Sequence, residues 1–99
     1  MKTNIETLYE IRSTSLFRKQ LKKIKRQGKD LNKLEAIVEK LANKEELDAR
    51  YRNHMLIDNK YYKNCGECHI ETDWLLVYQY LNEELILLLV STGSHSELF

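Results

Sequence analysis

Residues 74–90, WLLVYQYLNEELILLLV, decide the architecture. Two apolar runs, Trp74–Tyr80 and Leu85–Val90, flank the polar turn Asn82–Glu83–Glu84. Each run has strand length, and two strands joined by so short a turn pair antiparallel. Just upstream, Cys68, Ile70 and Thr72 fall on one side of an extended chain and Glu67, His69, Glu71 and Asp73 on the other, which predicts a third strand. Runs as apolar as these cannot leave both faces of a sheet wet, so other elements must cover one face.

The first half of the chain supplies that cover. Ser13, Thr14 and Ser15 offer N-cap hydroxyls. Phe17, Leu21 and Ile24 follow at i, i+4 and i+7, one face of a helix. Gly28 suits the stop, because glycine takes a left-handed conformation cheaply. Asp30 caps a second helix whose apolar stripe is Leu31, Leu34, Ile37, Val38 and Leu41. Tyr9–Arg12 fits a short strand ahead of both. The expected class is α+β: two N-terminal helices packed on a small twisted antiparallel sheet, in one domain spanning residues 1–99.

Of the 99 residues, 42% are hydrophobic and 31% charged, a globular rather than a disordered composition. The longest apolar run, Leu85–Val90, is far too short to span a bilayer. The start, MKTNIETLYE, lacks the apolar core of a secretory signal. Two cysteines without an export signal imply a reduced, cytoplasmic setting with no membrane partner. The net charge of +1 hides an asymmetry: residues 1–52 hold 14 Lys/Arg and 8 Asp/Glu, residues 53–99 hold 2 and 7. Arg18, Lys19, Lys22, Lys23, Lys25, Arg26, Lys29 and Lys33 face a lone acid, Asp30, in the densest basic stretch. Such a stretch suits a phosphate backbone, an acidic protein partner, or simply a solvated helix face.

All three histidines, His54, His69 and His95, lie in the strand-rich half. Histidine is the side chain best suited to proton transfer near neutral pH. Asp73, four residues after His69, is placed to hold an imidazole in one tautomer, and His95 follows the last strand in a polar loop, Thr92–Gly93–Ser94–His95–Ser96. Cys65–Gly66–Glu67–Cys68–His69 has the C-x-x-C-H spacing of covalent haem attachment, and two cysteines with two histidines would also suit zinc. Haem is attached after export, and Cys68 alternates inward like a small core residue, so the expectation is no cofactor and no metal.

The run 67–78, ECHIETDWLLVY, followed by 92–99, TGSHSELF, resembles the YafQ-type branch of the RelE/ParE toxin superfamily. Tyr51–Arg52–Asn53–His54 resembles that branch's Tyr–Lys–Asp–His segment, with Met55 where proline is usual. The resemblance runs from about Phe17 to Phe99. It implies a toxin of a type II toxin–antitoxin system: an mRNA interferase that cuts mRNA on the ribosome, using the RNA's own 2′-hydroxyl and no metal. It implies His54, His69, Asp73 and His95 as catalytic positions and Phe99 as a supporting aromatic. Trp74 would stack a base or fill the core, and Arg18, Lys19, Lys22, Lys23, Lys25 and Arg26 would grip RNA phosphates. The implied partners are a cognate antitoxin, the ribosome and mRNA, with the toxin monomeric alone and hetero-oligomeric with antitoxin. Two departures stand out. Ser91 replaces a usual arginine and Gly66 a usual basic residue, so one preorganised charge is lost, about 10²–10³ in rate, unless Arg50, Arg52, Lys60 or Lys63 compensates. A catalytically weak homologue acting mainly as an antitoxin-binding module is the alternative.

Overall fold

The computed structural model describes residues 7–99; the first six, included in the expected domain, lie outside the described residues. The elements are β1 (Glu10–Ser13), α1 (Ser15–Arg26), α2 (Leu31–Ala42), a 3-10 turn at Ala49–Tyr51, β2 (His54–Met55), β3 (Gly66–Glu71), β4 (Trp74–Leu81), β5 (Ile86–Gly93) and α3 (His95–Leu98). Thr14 is the N-cap of α1: its hydroxyl accepts from the Phe17 N–H (3.0 Å) and donates to the Val90 carbonyl (2.7 Å), tying the helix start to β5. Lys23, Lys25 and Arg26 end α1, where cations oppose the helix dipole. Gly28, at φ +80, makes the turn, and Asp30 caps α2 through the Asn32 N–H (3.0 Å). The stripes fall inward as the spacing requires: Phe17 and Ile24 from α1, and Leu34, Ile37, Val38 and Leu41 from α2, are buried.

The five strands lie in the order β1-β5-β4-β3-β2. The β3–β4 and β4–β5 pairs are antiparallel, as their short connections dictate. The sheet as a whole is mixed rather than antiparallel, because β1 pairs with β5 in parallel, Glu10 opposite Ile86. Only a long connection permits that pairing, and two helices and three strands intervene. The two-residue β2, absent from the predicted pattern, pairs antiparallel with β3. Thr72 and Asp73 form the β3–β4 turn instead of extending the strand, and β5 continues through Thr92 and Gly93, which the sequence had suggested as loop.

Both faces of the sheet are covered. Against the helices pack Cys68, Ile70, Trp74, Leu76, Tyr78, Leu87 and Leu89. On the other face Cys65, Leu75 and Val77 meet Leu98 of α3, with Leu56, Tyr62 and Val90 around them. A bulge sets what β5 shows to this second face. Val77 pairs with Ser91 but Tyr78 with Leu89, so Val90 is the extra residue and Ser91 shares the face of Val77. Past the end of β1, Gln20 of α1 takes over the open edge of β5, its Oε1 accepting from the Thr92 N–H (2.8 Å) and the Ser91 hydroxyl (2.9 Å). Among the described residues no helix is long and apolar enough to cross a membrane.

Candidate active site

The second face of the sheet, away from α1 and α2, collects the histidines. His54 and Glu67 are direct partners across β2 and β3. Two residues on, His69 shares the face of Glu67. Glu67 Oε1 lies 3.8 Å from His54 Nε2 and 3.4 Å from His69 Nε2. Each ring turns its other nitrogen to a backbone carbonyl: His54 Nδ1 to Arg52 (2.7 Å), His69 Nδ1 to Thr72 at a looser 3.4 Å. Glu67 itself is only 6% exposed. A buried carboxylate between two imidazoles is a ready partner for proton exchange and for holding both rings in place. Glu67 was not among the predicted site residues, although its two-residue spacing from His69 was a visible signal.

The other predicted residues form a second group at the far end of the β3–β4 turn. Asp73 Oδ1 accepts from the backbone N–H of His95 (2.9 Å), anchoring the first residue of α3. The His95 and Phe99 rings lie 5.4 Å apart, and Tyr62 packs edge-on against Phe99 at 5.4 Å. Ser94 and Glu97 close a capping box, and Lys23 of α1 forms an ion pair with Glu97. That pair, with the Ser94 N–H and hydroxyl, holds the Glu97 carboxyl down to about 2. The turn Thr72–Asp73 links the groups, since Thr72 meets His69 and Asp73 meets His95.

Trp74, Ser91 and Gly66, each singled out from the sequence, are all buried. Trp74 is 1% exposed, and its indole N–H donates to Thr92 Oγ1 (3.0 Å) inside the helix-side core, so its ring is not available to a base. Ser91 is fully buried, bonded to Gln20 with the Tyr62 hydroxyl 3.5 Å away, and so the volume a longer side chain would need is filled. A Cβ at Gly66 would lie 2.5 Å from the Tyr78 ring, on the helix side and not on the face of Glu67 and His69. Of the basic set, Arg18 is tied to Ser13 and Lys23 to Glu97, while Lys19, Lys22, Lys25 and Arg26 stand exposed along α1, outside both groups.

The two thiols do not converge. Cys65 packs in the second-face cluster and Cys68 in the helix-side core. Burial pushes the Cys65 thiol up and, with the Glu67 charge, takes Cys68 to about 12, so neither is poised as a thiolate ligand. Among the described residues no group of three or more His, Cys, Asp or Glu is arranged to hold a metal ion.

Residues 9–99 match the family model described as "Bacterial toxin of type II toxin-antitoxin system, YafQ". The mRNA interferase toxin YafQ of Escherichia coli BL21-DE3 is 32% identical over 91 residues, 91% of this chain and 95% of that protein. Among solved structures, a metal-bound toxin from Helicobacter pylori superposes with a TM-score of 0.86 at 41% identity, covering 92% of this chain and 99% of that one. The E. coli DinJ-YafQ complex gives 0.80 at 32% identity, covering 92% and 98%. Sequence, fold and element order agree over nearly the whole length, and this chain belongs to the YafQ family of type II toxin–antitoxin toxins.

Proposed function

We propose that the chain is an endoribonuclease that cuts ribosome-bound mRNA in the cytoplasm, acting as one domain over residues 1–99. The observation that carries this reading is the buried Glu67 between His54 and His69, joined through one turn to Asp73, His95 and Phe99. In the reaction the RNA 2′-oxygen attacks the adjacent phosphorus in line, the bond from phosphorus to the 5′-oxygen breaks, and a 2′,3′-cyclic phosphate and a 5′-hydroxyl result. Two proton transfers are needed, one off the 2′-hydroxyl and one onto the 5′-oxygen, and none requires a metal. The Glu67–His69 pair takes the first proton with His54 steadying the carboxylate, and His95 supplies the second. Asp73 positions His95 by holding the start of α3, and Phe99 supports the ring.

The missing arginine at position 91 removes a preorganised charge from the transition state, about 10²–10³ in rate, whereas a side chain at Gly66 would point at Tyr78 and is no loss to this face. The toxin is monomeric alone and is silenced by a cognate antitoxin in a hetero-oligomer, as the DinJ-YafQ pairing of the E. coli relative suggests. The test is induction of the wild-type chain and His95→Ala without antitoxin. Translation arrest by the wild type alone supports the nuclease. No arrest by either, from folded protein, sinks it and leaves antitoxin binding, the reading that the buried Ser91 favours, as the function.

A further inference from the structure

An open groove of about 630 Å³ runs between the start of α2, the 3-10 turn and the end of β3, where His69 is among its lining residues. Its size is that of a small-ligand site, room for a nucleotide or two of an extended strand. Lys29 and Lys33 both bind the Glu71 carboxylate at its rim (3.0 and 2.9 Å). With Arg50 and Arg52 these make four cations against two carboxylates, Asp30 and Glu71. Tyr51 rests half-buried against the core, the Arg50 guanidinium lies 4.7 Å from its ring centre, and Arg50 Nη2 donates to its hydroxyl (2.7 Å). Arg52 is exposed and left-handed at φ +48, a conformation unfavourable for a side chain of this size. The turn it makes sets its carbonyl on His54 and its side chain in the groove.

We infer that this groove binds the substrate RNA strand next to the scissile phosphate, with a base on the Tyr51–Arg50 stack and a phosphate against Arg52. An aromatic ring paired with a guanidinium takes any base by its face, and cations along one wall track a backbone. The large apolar side chains left exposed, among them Met55, Ile57 and Tyr61, lie outside the groove, which fits RNA better than a protein segment. The inference rests on the nuclease reading and deepens it.

The probe is a fluorescein-labelled RNA oligonucleotide, 2′-O-methylated throughout so that it cannot be cut, titrated with purified protein by anisotropy over a salt series. Tyr51→Leu keeps the apolar packing and should weaken binding about 5- to 100-fold, and Tyr51→Phe should restore most of that loss. Arg52→Gln should lower the salt slope by about 0.7, one phosphate contact on a single strand. In a translation extract both losses should appear in KM more than in kcat. Unchanged binding and KM in folded Tyr51→Leu and Arg52→Gln overturn the groove, as does absent binding by the wild type. His95→Ala separates the readings: if the variant binds the probe but does not cut, both stand, and if the wild type binds but never cuts, the nuclease reading alone falls.

Discussion

Replacing Trp74 by phenylalanine asks whether this residue is core or RNA contact. The indole is 1% exposed and its N–H donates to Thr92 Oγ1, which in turn donates to the Leu75 carbonyl (2.7 Å). Phenylalanine forfeits that hydrogen bond, about 1 kcal/mol net, and leaves a void where the larger ring was, about 1–2 kcal/mol more. The sum is about 2–3 kcal/mol, or roughly 8–24 °C in Tm for a domain of this size. Alanine should cost about 3–5 kcal/mol, a large part of a total near 5–15. Thermal and urea unfolding by far-UV circular dichroism measures both. Trp74 is the only tryptophan, so wild-type emission should be blue-shifted and resist acrylamide. Translation arrest per folded molecule should change little in Trp74→Phe. An unshifted melt with lost arrest, or a solvent-quenched indole, would refute the buried assignment and return Trp74 to the RNA.

Gly66→Ala should destabilise by about 1–3 kcal/mol in urea unfolding, because the new Cβ would meet the buried Tyr78 ring at 2.5 Å and disturb its bond to Asn53; an unmoved midpoint would mean that Tyr78 yields freely. The docking of α3 should weaken in acid. The folded-state value of Glu97 is lowered from 4.5 to about 2, chiefly by Lys23 and then by Ser94, so its contribution is whole above 4.5 and fades as pH falls toward 2. Because the pair is exposed the effect is small, under about 1 kcal/mol, and is best read from the amide resonances of residues 94–99. Their acid midpoint should rise toward 4.5 in Lys23→Met, and identical midpoints in the two proteins would count against the ion pair.

What the sequence disclosed was local. The caps at Thr14 and Asp30, the inward stripes of α1 and α2, and the hairpin of residues 74–90 follow from spacing within a few residues, and each lies where expected. The short strand read at Tyr9–Arg12 is present as β1, but its parallel pairing with β5 left no such mark, since its partner is 76 residues away. Nor did β2: two residues are too short for a period, so His54 reads as loop until Glu67 is seen opposite it. The orientation of Ser91 depends on the bulge at Val90, a single-residue slip that alternation cannot reveal. His54, His69, Asp73 and His95 stood out by side-chain chemistry, the resemblance gave them catalytic roles and added Phe99, and periodicity named none of them. The carboxylate at the centre of the first group, Glu67, came from none of these, because an acid on a strand's outer face is ordinary until two histidines close over it.

The central position of β5 bears on how the molecule is made. The strand between β1 and β4 follows the other described strands in sequence, and α3 with His95 and Phe99 comes behind it. Until it emerges, β1 has no neighbour, the Thr14 cap has no Val90 carbonyl, and Gln20 has no strand edge to close. Contacts between distant parts of a chain slow folding, because loop closure must precede the contacts that reward it. The sheet therefore closes only when the segment that brings α3 with it is present, so the fold and the candidate site are completed together.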